Sequence, residues 1–155
     1  MTERGFMKYA LLQTRGAIVV ALVFILAVIA SAIGLKAEHA PRAAINVAQE
    51  FLDRLQAKEF AQAHELTVKN NGYVGATPAE LERITQRQLC KVTRVAGTSP
   101  FQSHGNRLRR RLAGAQVEMP EVRVEFAEGA CLLGVTVRYI GAEQWKVYYF
   151  ARHAG

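Results

Sequence analysis

From Gly16 to Leu35 the chain runs for twenty residues without a single charge. Wound as a helix, such a run spans roughly 30 Å, the thickness of a bilayer's hydrocarbon core. The spacing predicts three parts: a cytoplasmic tail over 1–15, a transmembrane helix over 16–35 and an extracytoplasmic domain over 36–155. Arg4, Lys8 and Arg15 face one acid, Glu3, in the tail, and basic flanks stay on the cytoplasmic side. The far flank mixes Lys36 and Arg42 with Glu38 and His39. The expectation is a single-pass protein of a bacterial-type inner membrane, with its C-terminal domain in the periplasm.

Two other readings of this segment stay open. Ala30-Ser31-Ala32 would serve as a cleavage site for a secretory signal, although the apolar run exceeds the roughly 7–15 residues of a usual signal core. Arg15-Gly16-Ala17-Ile18-Val19-Val20-Ala21 resembles the processing site of type IV pilins and minor pilins, which implies a subunit cut after Gly16. That family carries a glutamate five residues after the cut, where this chain has Ala21.

The formal charge is +7, from 20 Lys and Arg against 13 Asp and Glu. A moderate positive excess favours acidic partners or anionic head groups and says nothing of fold. Cys90 and Cys131 are the two cysteines, and both follow the apolar run. In an oxidising compartment they are most simply a disulfide. Two buried free thiols are the alternative.

Beyond the run the pattern is helical first. Pro41 suits a first helical position, and Ala44, Val47, Ala48, Phe51, Leu52 and Leu55 recur at helical spacing over about 41–57. A short helix over 58–67 turns Phe60 and Ala63 inward, and Asn70-Asn71-Gly72 stops it. Thr77-Pro78-Ala79-Glu80 has the form of a capping box with proline at the first turn, so a third helix runs to near Cys90. Residues 91–96 read as a weak strand and 97–114 as a loop. Val122, Val124 and Phe126 then alternate with Glu121, Arg123 and Glu125, the mark of a sheet with one wet face. Cys131 to Ile140 and Glu143 to Arg152 complete a meander. Helices followed by antiparallel strands make an α+β domain, its helices packed on a curved antiparallel sheet.

The segment Ala44 to Thr67, with its Phe51-Leu52 pair and the turn Lys58-Glu59-Phe60-Ala61-Gln62-Ala63, resembles the opening helices of nuclear-transport-factor-two-like (cystatin-like) domains. Gln144-Trp145-Lys146-Val147-Tyr148-Tyr149-Phe150 is similar to the last strand of that fold. The resemblance implies a cone-shaped α+β fold able to enclose a pocket. It implies no activity, because such folds host enzymes, binders and structural subunits alike.

Chemistry is sparse. His39, His64, His104 and His153 have no ligand spacing and Asp53 is the only aspartate, so no metal or other cofactor is expected. Ser99 and Ser103 lack a nucleophile elbow. His64, Tyr73, Glu125 and Tyr139 are the side chains that an enzymatic or ligand-binding pocket of this fold would recruit. The densest feature is Arg107, Arg109, Arg110 and Arg111, a solvated loop or a contact for an anionic partner. Nucleic acid is not expected, since no aromatic residues interleave the run. Of Trp145, Tyr148, Tyr149 and Phe150, about half should face outward and form a patch for a partner. These features together suggest a non-catalytic, membrane-anchored interaction or assembly module of the cell envelope, binding protein through its sheet or its arginine run. A small-molecule ligand is left undefined.

Overall fold

The computed structural model describes residues 3–142 and 144–153, and of residues 3–19 it describes the backbone alone. Five helices and four strands follow one another as α1 (Glu3–Lys36), α2 (Arg42–Gln56), α3 (Phe60–Glu65), α4 (Pro78–Gln88), β1 (Arg94–Ser99), α5 (His104–Leu112), β2 (Glu121–Glu128), β3 (Cys131–Gly141) and β4 (Gln144–His153). The strands form one antiparallel sheet in the order β1-β2-β3-β4. The α+β class agrees with the pattern read from the sequence, and the order departs from helices-then-strands where α5 separates β1 from β2.

The described side chains of α1 are exposed, and the helix touches the rest of the fold at α5. Among the described residues no helix is long and apolar enough to cross a membrane. The expected tail, 1–15, and the first four positions of the apolar run lie outside the described side chains. From Val20 onward the run is exposed, with Val20, Phe24 and Ile33 each retaining about two thirds of their surface. α1 ends at Lys36, and α2 starts six residues later. Pro41 lies just outside α2 rather than at its first helical position, because its carbonyl accepts the first helical bond from Ile45 N at 3.0 Å.

α2 supplies Ala44, Ala48, Phe51, Leu52 and Leu55 to the core, the stripe its spacing predicts. Phe51 meets Phe150 of β4 edge to face at 5.3 Å between ring centroids. α3 is shorter than the expected 58–67 span, and Ala63 is its buried contact. Between α3 and α4 the chain turns through Asn71, whose amide donates to Tyr148 O, and through Gly75. Gly75 has φ +89°, and a Cβ there would sit 2.7 Å from Glu80 Cβ, so only glycine fits. α4 opens on its capping box: Thr77 Oγ1 accepts from Glu80 N at 3.3 Å, and Glu80 reaches back to Ala76 N at 2.7 Å.

The inner face of the sheet is apolar. Val122, Val124 and Phe126 of β2, Leu133, Val135 and Val137 of β3, and Trp145, Val147 and Phe150 of β4 are all buried, with α2 packed over β2, β3 and β4 and α4 against β4. Each large side chain so buried contributes about 1.5–3 kcal/mol. Cys90 and Cys131 form a disulfide, with their Cα atoms 6.2 Å apart, joining the end of α4 to the start of β3.

Three local expectations are corrected. The first strand is Arg94–Ser99, three residues later than expected, because Val92 is buried ahead of the strand and not within it. The 97–114 stretch is not a loop, since it holds the end of β1 and the nine-residue α5, which Ser103 caps by accepting from Asn106 N at 3.2 Å. With β1 added, the meander has four strands instead of three.

Candidate functional site

Two surfaces concentrate the chemistry that the core does not use. The first is a cleft of about 910 Å³ at the base of α1, where the α1–α2 connection, α5 and the segment before β2 meet the Trp145 end of the sheet. α5 is fastened there by its backbone: His39 N donates to Gln102 O at 2.8 Å, and His104 N donates to Ala37 O at 3.1 Å. Those bonds bring two histidines far apart in sequence together, with His39 and His104 rings edge to face at 5.3 Å.

Arg107 closes one wall with a two-pronged ion pair to Glu118, at 2.6 and 2.9 Å. This pair holds the Glu118 carboxyl below its ordinary range and raises Arg107. Burial lowers the His39 pKa, and the nearby Arg107 charge lowers it further. The cleft thus sets its imidazoles beside an arginine already paired with a carboxylate, and Arg42 and Arg111 also line it. Among the described residues lining it there is no Ser, Thr or Cys to act as a nucleophile.

The second surface is the outer face of the sheet, opposite the helices. Strand register places side chains there in rows: Ser99, Arg123, Thr136 and Tyr149 in one, and Gly97, Glu125, Gly134 and Ala151 in the next. The second row is almost free of side chains, and Arg123 lies across it. A Cβ on Gly134 would fall 2.5 Å from Arg123 Nη2, so the guanidinium rests directly on the β3 backbone. Glu125 Oε1 stands 3.5 Å from Arg123 Nε.

At one corner of this face a bulge in β4 controls what is displayed. Val147 pairs with Val137 and Tyr149 with Thr136, so Tyr148 is the extra residue. Strict alternation would send one of the two tyrosines inward. The bulge instead keeps Val147 and Phe150 inside and puts Tyr148 and Tyr149 together outside. Tyr73 joins them, its ring 5.5 Å from Tyr148 and 5.9 Å from Tyr149. Arg138 lies 3.7 Å above the Tyr148 ring while its Nε donates to Glu121 at 2.8 Å. Tyr73 retains 59% of its surface, Ile140 49% and Tyr149 36%, which makes this an exposed aromatic and arginine patch.

The residues singled out by the sequence fall in separate places. Arg107 faces Glu118 in the cleft, Arg110 donates to Gln116 O at 2.7 Å, Arg109 stands exposed on α5, and Arg111, also exposed, lines the cleft. His64 Nε2 lies 3.3 Å from Gly75 O, Glu125 is on the outer sheet face, and Tyr73 is in the aromatic patch. Of the pocket candidates only Tyr139 lines the cleft, so they do not converge on one site. Among the described residues no cluster of His, Cys, Asp or Glu is suited to a metal ion. Sequence reasoning passed over Glu118 and Arg138, whose partners lie 11 and 17 residues away. Compared with family models, curated proteins and solved structures, the chain finds no match.

Proposed function

We propose that this chain is a non-catalytic, membrane-anchored interaction module of the bacterial cell envelope, and that it binds a protein partner through the outer face of its sheet. One observation carries the reading. In the Tyr73, Tyr148, Tyr149 and Arg138 cluster, Tyr73 and Tyr149 are exposed and the other two half-buried, although the inner face of the same sheet is sealed by the chain's own helices. Tyrosine and arginine are the residues most enriched where binding energy concentrates at protein interfaces. The core between helices and sheet is filled by the fully buried Phe51, Phe126, Phe150 and Leu133, which favours packing over ligand capture on the inner face.

The apolar run supports the anchor. From Val20 to Leu35 its large side chains are bare, an arrangement that water disfavours and a bilayer accommodates. The disulfide fits an oxidising compartment beyond that bilayer.

The test is a photocrosslinking residue at Tyr149 in the full chain, expressed in its own membranes, with Gln62 on α3 as the control position. The expected result is one protein crosslinked from Tyr149, absent from Gln62 and lost when Arg138→Glu is added. Equal crosslinking from both positions, or none from Tyr149, overturns the proposal.

A further inference from the structure

We infer that α5 is a membrane-surface helix, seated on anionic phospholipid head groups beside the exit of α1. The inference rests on the reading of α1 as a bilayer helix and adds a second membrane contact to it.

Position comes first. The apolar run ends at Leu35, and α5 begins against that point. Besides the two backbone bonds that tie it to the end of α1, Glu38 and Ser103 pair as an isolated antiparallel bridge. A Cβ on Gly105 would sit 2.9 Å from Leu35 O, so the two backbones are nearly in contact. α5 therefore lies at the depth where a membrane helix ending at Lys36 meets the head groups.

Orientation follows from the helical turn of about 100° per residue. Gly105 marks the side of α5 turned to α1. Leu108 and Leu112 share that side within about 60° of Gly105, whereas Arg107 points the opposite way, to Glu118. The two leucines retain 45% and 79% of their surface, and Phe101, just ahead of the helix, retains 60%. Arg109 and Arg111 are exposed and flank the leucine stripe on its two sides. An apolar stripe between arginines, on a helix too polar to enter a bilayer, is the pattern of a helix lying in the interface plane. Arginine stems can lie along the acyl boundary while the guanidinium groups fork onto phosphate oxygens.

Lipid is favoured over an acidic protein by continuity. Gly105, on the leucine side of α5, sits against Leu35, and Ile33 and Leu35 are themselves exposed at 66% and 42%, so the apolar end of α1 and the leucine side of α5 meet at that point. Lys36, exposed at the last position of α1, adds positive charge there. Each basic side chain near an anionic surface favours binding by about fivefold.

The experiment uses the full chain, disulfide intact, in vesicles of neutral phosphatidylcholine or of phosphatidylcholine with phosphatidylglycerol. Leu112→Cys carries an environment-sensitive fluorophore, Gln62→Cys is the control, and brominated acyl chains are the quencher. Alkaline extraction of the same vesicles reads the anchor independently. The expected result is quenching at 112 and not at 62, strengthened by the anionic lipid and reduced about tenfold or more in docked fraction by Arg109→Gln with Arg111→Gln. If the chain resists extraction but the label at 112 is no more quenched than at 62, the inference falls and the anchor stands. If the chain is extracted, the anchor falls and takes the inference with it. Equal quenching in neutral and anionic vesicles overturns the assignment of the arginines to head groups. A label shielded only by an added protein partner overturns the assignment to lipid.

Discussion

The two faces of the sheet are built from the same strands and obey opposite rules. Inward, Val122, Val124, Phe126, Leu133, Val135 and Val137 are sealed beneath α2, and volume is the constraint. Outward, Arg123 lies across the Gly134 backbone, Arg138 covers Tyr148, and charge and ring geometry are the constraint. The inner face accounts for why the chain folds. The outer one is left with residues that folding does not require, and such residues are where a partner's requirements can be written.

That contrast is easiest to break from inside. Phe126→Ala removes a fully buried ring and should cost about 3–5 kcal/mol in chemical or thermal unfolding. An equal loss from Glu125→Ala, its outward neighbour, would mean that the two faces do not differ as described. Replacing Cys90 and Cys131 together by serine opens a loop with a separation of 41 residues. The expected loss is about 3–4 kcal/mol in the chain-entropy model, read as the shift in unfolding midpoint under oxidising conditions. Gly75→Val combines a positive φ with a clash against Glu80, and should cost about 2 kcal/mol or more without touching either face of the sheet.

Outward substitutions sharpen the comparison. Arg138→Ala loses a half-exposed ion pair and one ring contact, so unfolding should shift by no more than about 1 kcal/mol while partner retention drops sharply. Acid should act more weakly still, through the cleft. His39 has its pKa lowered in the folded chain, so the unfolded chain holds that proton more tightly. Its contribution is complete above about pH 6.5 and declines as the pH falls below that value. Glu118 is held low by Arg107, so its contribution is complete above the usual carboxylate range and is lost in more acid solution. Melting temperature should therefore fall in two stages from pH 7 downward. His39→Gln should flatten the upper stage alone.

Elements with a strong period were legible before any coordinates. The Phe51-Leu52 stripe, the Thr77-Pro78-Ala79-Glu80 cap and the Val122-Val124-Phe126 alternation each carry their own geometry. α5 was not legible, because its apolar period is reduced to Leu108 and Leu112, and the glycines at 105 and 114 read as loop. Its one start signal was Ser103, without the glutamate or glutamine at the third following position that completes a capping box. The outward pairing of Tyr148 with Tyr149 depends on a bulge, and no period records an inserted residue. The cleft was hidden for a different reason. His39, His104 and Trp145 come from three distant parts of the chain, and only the folded backbone makes them neighbours. The arginine run was visible at once, yet which arginine is already paired depends on Glu118, a residue that nothing in the sequence marks.

The bond between Cys90 and Cys131 encloses β1, α5 and β2 in a covalent ring. Tension applied between α1 and the far end of β4 would cross from sulfur to sulfur and bypass everything from 91 to 130. A protein held in a lipid sheet at one end and hauled by a partner at the other would keep α5 and its neighbours slack. A protease that nicked the ring would leave two fragments still travelling as one molecule until a reductant parted them.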